Sequence, residues 1–186
     1  MPRFHYESHE DRSGKNVEHF LMGDVTKGRN SLRYEEALKR VTERLHRTQN
    51  LSYLPFRDAL GLTKEVQEGD PIAPKKRFMR DIREAVARKL GLDDEAARNV
   101  GIYSAVGTPL DGYHGVDAFI EWKNTKGESK IATLDVTVNQ EKLAENRAKA
   151  DVLIGEVPDP EENLKSYHAL IDHIAEQAVL RLKSSR

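Results

Sequence analysis

At 186 residues, 38% apolar and 33% charged, the chain suits one soluble domain, or one with an appendage, whose apolar side chains are concentrated in a few segments. The absence of cysteine excludes disulfide and thiolate chemistry; thirty basic against thirty-one acidic side chains, a net charge of −1, offer a polyanion no global attraction, so a nucleic-acid partner must rest on local clustering. No run of eighteen apolar residues occurs, and Met1-Pro2-Arg3-Phe4-His5 opens no apolar signal region, so membrane spanning and secretion are disfavoured and a cytoplasmic location is expected.

Residues 1–30 are polar, with Gly14, Gly23 and Gly28 interrupting any pattern and Val17, Phe20, Leu21 and Met22 grouped, and are expected to form an irregular arm with at most a turn of helix. His5, His9 and His19 lie in this arm without the helical periodicity a ligand pair needs, and are read as solvated. Ser31 offers an N-cap, and Leu38, Val41 and Leu45 recur at helical spacing through Arg47. Residues 50–74, punctuated by Pro55, Gly61, Gly69, Pro71 and Pro74, read as linker-like with a short helical turn at 56–60. The expected organisation is thus an arm (1–30), a helix plus linker-like extension (31–74) and a core (75–186).

The core opens with a helix over 75–90, its apolar stripe made by Phe78, Ile82, Ala85, Val86 and Leu90 and its stop by Gly91. Seven basic side chains against two acidic ones give residues 75–89 a local charge of +5, a cluster that is usually a solvated face. Here it marks Lys75, Lys76, Arg77, Arg80 and Arg83 as the first candidates for phosphate contacts. A strand is expected at 100–106, a turn at 107–112, then strands over 115–122 and 130–138. A polar helix at 140–150 and the apolar strand Val152-Leu153-Ile154, of the kind found mid-sheet, come next. Pro158, Asp159 and Pro160 are expected to open a last helix carrying Leu164, Tyr167, Ile171, Ile174, Ala178 and Leu182. Its His168 and His173, five apart, do not share a face and are read as non-ligands.

Two of these strands each set an aspartate, Asp117 and Asp135, inside an otherwise apolar run, where an uncompensated carboxylate is costly. With a side-chain period of two, Asp117, Phe119 and Glu121 share a face with Thr133, Asp135 and Thr137 if the strands pair, while Val116, Ala118, Ile120 and Trp122 join Ala132, Leu134, Val136 and Val138 on an apolar face. Either a divalent cation compensates the two acids, or Asp117 meets an arginine and Asp135 is satisfied by hydrogen bonds near Thr133 and Thr137. Tyr113 and His114 stand just ahead of Asp117, on a loop within reach of such a site.

From residue 75 the order is helix, strand, strand, strand, helix, strand, helix. With Gly115-Val116-Asp117 and Asp135-Val136-Thr137 in their places, this layout resembles the PD-(D/E)xK nuclease superfamily over roughly residues 75–157. The resemblance implies an α/β (α+β) fold with an αβββαβ restriction-endonuclease-like core and mixed sheet, here with an N-terminal helical extension and a C-terminal helix. It further implies Mg²⁺ or Mn²⁺ held by Asp117, Asp135 and the carbonyl of Val136, with Glu84 as an additional acid. Threonine at 137 stands where the family usually carries lysine, so Lys142, or less favourably Lys123, takes that role. The function so implied is hydrolysis of DNA or RNA phosphodiesters. The rival readings are a catalytically silent descendant that binds nucleic acid or protein, and an assembly module that forms a homodimer or docks another chain through the arm and the last helix.

Overall fold

The computed structural model describes residues 14–27, 30–49, 53–137 and 149–184. In chain order it contains α1 (Gly14–Met22), α2 (Ser31–Gln49), α3 (Phe56–Val66), α4 (Arg77–Lys89), a 3₁₀ turn (Ala96–Asn99), β1 (Val100–Ser104), α5 (Pro109–His114), β2 (Ala118–Lys123), β3 (Ser129–Val136), β4 (Val152–Ile154) and α6 (Leu164–Lys183). The strands form one mixed sheet in the order β1-β2-β3-β4: the first three pair antiparallel as a meander, and β4 lies parallel to β3. A parallel neighbour requires a crossover connection, here between Val136 and Val152. The helix expected at 140–150 falls there, and its residues 140–148, Lys142 included, lie outside the described residues. None of the described helices is long and apolar enough to cross a membrane.

Strand alternation divides the apolar residues into two cores. On one face Ala118, Ile120, Ala132, Leu134 and Val136 pack with Ile102 beneath α4 and α6, which contribute Phe78, Ile82, Val86, Ile171 and Ile174, all 4% exposed or less. On the other, Phe119 sits at zero exposure among Leu62 and Val66 of α3, Ala37 and Leu45 of α2, and Leu110 of α5. The α+β expectation is met. The division of labour between the faces is not, because the face carrying Asp117 is itself a core around Phe119, and Val116 belongs to that second core.

Several elements differ from expectation for physical reasons. The stretch read as linker-like contains α3, which runs on to Val66 because Ala59, Leu62, Thr63 and Val66 recur as a stripe that the second core buries. The arm contains the nine-residue α1, whose Leu21 and Met22 enter the first core. The turn at 107–112 becomes α5, started by Thr108, whose side chain accepts the Leu110 N–H, and by Pro109 in the first helical turn. The last helix begins at Leu164 rather than at the prolines, since Asn163 supplies a side-chain cap to the Ser166 N–H at 3.0 Å. The apolar strand Val152-Leu153-Ile154 is not central: among the described residues β4 is the edge next to β3.

Candidate metal centre

Asp117 is placed by the way the chain leaves α5. Gly115 closes that helix in the left-handed region, φ 63° and ψ 46°, which is why glycine suits the first position of the Gly-x-Asp motif. The Val116 N–H then donates back to Leu110 O, the Asp117 N–H joins the ladder at Leu134 O (2.9 Å), and Asp117 O accepts from the Ala105 N–H (2.7 Å). Backbone bonds on both sides thus hold Asp117, and its Oδ2 accepts the Val136 N–H at 2.7 Å, replacing a ladder acceptor where β2 diverges. The register Ala118↔Leu134, extended by one residue, sets Asp117 opposite Asp135. The two carboxyls are 3% and 4% exposed.

The electrostatics of Asp117 contrast with those of Glu121, four residues along the same face. Burial pushes Glu121 up, but Lys64 Nζ at 2.7 Å and the Ser129 hydroxyl outweigh it and hold this carboxyl below its ordinary value. Asp117 has no such cation. Burial pushes its carboxyl up to about 7 against the pull of the Val136 N–H, and the charges acting on it, those of Glu18, Asp135 and Asp111, push the same way. No ion pair to Asp117 occurs among the described residues.

Glu18 from α1, Asp111 from α5 and Asp117 at the head of β2 form a trio whose ligand atoms all lie within 4.8 Å of one another. Each arm of the trio is braced. Asp111 Oδ2 accepts the Gly107 N–H at 2.9 Å. The segment after α1 is tied to the sheet by the Ser104 hydroxyl donating to Gly23 O (3.1 Å), and α1 itself is tied to the start of α4 by Lys76 Nζ donating to Phe20 O (3.0 Å). The segment after α1 also packs so closely on Gly107 that a Cβ there would stand 2.7 Å from Thr26 Oγ1 and 2.8 Å from Asp24 Oδ1. Carboxylate oxygens from three separate elements, one buried and two half-buried, are a hard donor set that suits Mg²⁺, Mn²⁺ or Ca²⁺.

The residues expected from sequence fare differently. Asp117 and Asp135 face one another across the β2–β3 register, and the Val136 amide contacts Asp117, but the convergent trio recruits Glu18 and Asp111 in place of Asp135. Glu84 is a correction: it is exposed on α4 and belongs to no acid cluster among the described residues. Lys123 is a second, since it ends β2 exposed, six residues and so about 20 Å from Asp117 along the strand. Thr137 is buried at 8% exposure, its N–H on Ile154 O. A lysine does approach the motif. The Cδ of exposed Lys149 lies 3.8 Å from where a Cβ on Gly115 would stand.

Of the basic candidates, Arg83 is built into the fold, donating to Val100 O at 3.0 Å and to Ala97 O, with burial holding its guanidinium below the ordinary value. Arg77 and Arg80 flank Asp81 at 3.5 and 4.0 Å, and Arg77 also covers the Tyr167 ring. Lys76 reaches back to α1, the helix that supplies Glu18. Lys75 is exposed.

Glu18 and Asp111 carried no sequence signal of their own, the first lying in a polar arm and the second reading as a turn former. Compared with protein-family models, curated proteins and solved structures, the chain matches none of them.

Proposed function

We propose that the protein is a Mg²⁺- or Mn²⁺-dependent phosphodiesterase acting on nucleic acid. One observation carries the reading: three carboxylates from three elements converge within 4.8 Å around a buried aspartate that lacks a cationic partner among the described residues. The strand order supports it, because a meander followed by a parallel fourth strand is compatible with an αβββαβ core of the PD-(D/E)xK type. Asp117 is the central ligand, Glu18 and Asp111 complete a carboxylate shell, and Asp135 across the register adds charge to it. When bound, the ion lowers the pKa of a coordinated water and offsets charge developing on the phosphate.

The chain's own residues supply position and charge. The Val136 N–H orients the Asp117 carboxylate through Oδ2. Glu18 takes the place proposed for an additional acid, with α1 rather than α4 delivering it. Lys149, packed along the Gly115 turn, stands in for the lysine that Thr137 replaces and faces the phosphate or the attacking water. Lys75, Lys76, Arg77 and Arg80 give the backbone of the nucleic acid its nonspecific contacts.

Incubation of the purified protein with plasmid, single-stranded DNA and RNA in Mg²⁺ and in Mn²⁺ tests the reading. Cleavage that disappears in Asp117→Ala is expected; no cleavage by the wild type, or cleavage unchanged in the variant, contradicts it. The second reading, a silent binding module of the same fold, draws on the threonine at 137. It predicts oligonucleotide affinity that falls steeply with salt and no cleavage.

A further inference from the structure

The α5 turn that delivers Asp111 to the trio has a second side. There a cleft of about 360 Å³ opens between α2 and α5, with residues 107–109 and 112 as one wall and Tyr34, Leu38, His46, Tyr53, Leu54 and Tyr113 among its lining. Half of the chain's six tyrosines meet in this one place. Tyr53 and Tyr113 are 51% and 53% exposed, although neighbouring cores bury Phe119 and Leu110 completely. Thr108, Pro109, Gly112 and Tyr113 of the cleft lining bracket Asp111 in sequence, so the cleft and the trio share the α5 segment.

We propose that this cleft receives an unpaired base of a single-stranded nucleic acid whose phosphate lies at the acid trio. The inference rests on the phosphodiesterase reading and names its substrate class. The chemistry fits in three ways. Aromatic rings with exposed faces are what a base stacks on, and such stacking tolerates any sequence because every base has a π-face. The volume lies near the lower end of small-ligand pockets, about 300–1,000 Å³, which admits one nucleoside and little more. His46 and the phenolic hydroxyls supply hydrogen-bonding groups for the base edges. The two sites are also contiguous in the chain: Asp111 of the trio directly precedes Gly112 and Tyr113 of the cleft lining on α5. A base within a duplex has both faces stacked and cannot enter without being flipped, so single strands are preferred.

The test is a fluorescence titration with 2-aminopurine nucleoside, an unphosphorylated probe, in EDTA, so that neither the acids nor an ion enters the readout. Saturable quenching is expected with the wild type and with Tyr113→Phe. In Tyr113→Ala, a change at an exposed position, affinity is expected to fall about tenfold or more. Absence of saturable quenching by the wild type at millimolar nucleoside, or equal affinity in Tyr113→Ala, overturns the proposal, as does equal cleavage of single-stranded and duplex DNA by an active wild type. Quenching without any cleavage supports the base cleft while sinking the phosphodiesterase reading, and cleavage without quenching does the reverse.

Discussion

With its carboxyl pushed up to about 7 from an ordinary 3.8, Asp117 holds its proton in the folded state across a range where the unfolded chain has lost it. Below about pH 4 both states are protonated and the shift has no effect on stability. Between about 4 and 7 the folded state binds more protons than the unfolded, so stability falls as pH rises, and it stays reduced above 7. Asp117→Asn keeps an acceptor for the Val136 N–H and removes the charge. It is expected to stabilise the metal-free protein at pH 8 by on the order of 2 kcal/mol, about 4–8 °C in Tm for a chain of this size, with little change near pH 4. Thermal melts at the two pH values check this; a variant no more stable than wild type at pH 8 contradicts it. A second residue-scale expectation concerns Lys149. If its charge meets the phosphate, Lys149→Ala lowers kcat by about 10²-fold and leaves Mn²⁺ affinity unchanged, whereas a lysine that only packs on Gly115 leaves kcat near its wild-type value. At this scale Asp117 and Asp135 were legible in the sequence because a charge inside an apolar strand stands out. Glu18, Asp111 and Lys149 were not, because none of them interrupts an apolar strand and only tertiary contact gives them a role.

At the scale of elements, the site depends on how α1 is docked. The helix is nine residues long, below the length at which helices form on their own, so its position comes from Leu21 and Met22 in the core and from the fit of the following segment on Gly107. Gly107 has φ 84° and no room for a Cβ. Gly107→Ala is expected to cost about 2 kcal/mol, lower Tm by about 4–8 °C and weaken Mn²⁺ binding by displacing Glu18 and Asp111 together. Unfolding curves and a metal titration on the same sample separate the two effects, and a variant with wild-type metal affinity would show that the α1 docking does not build the site. The sequence pattern of α1 was too short and too polar to reveal it. By contrast, α4 was legible from its apolar stripe, and β2 and β3 from their alternation, since each carries its period within itself. The extent of α3 was obscured by Gly61, which sits exposed on a helix that tertiary burial completes.

For the molecule as a whole, the three-layer arrangement explains why the acids converge where they do. The α4 and α6 layer closes one face of the sheet and the α2, α3 and α5 layer closes the other, while α1 crosses one end to bring Glu18 beside the β2 head. The order of the four strands with α4 ahead of them and α6 behind, and hence the α+β class, could be read from local periodicity. The edge position of β4 and the second core could not, because an apolar strand reads the same at an edge as in the middle. What unifies the layers functionally is the claim that a divalent cation compensates the trio. Calorimetric titration of metal-free protein with Mn²⁺ at pH 8, wild type beside Asp117→Asn, measures this most directly. The account predicts one saturable site in the wild type that is lost in the variant; no binding heat in the wild type, or the same isotherm in both, would contradict it.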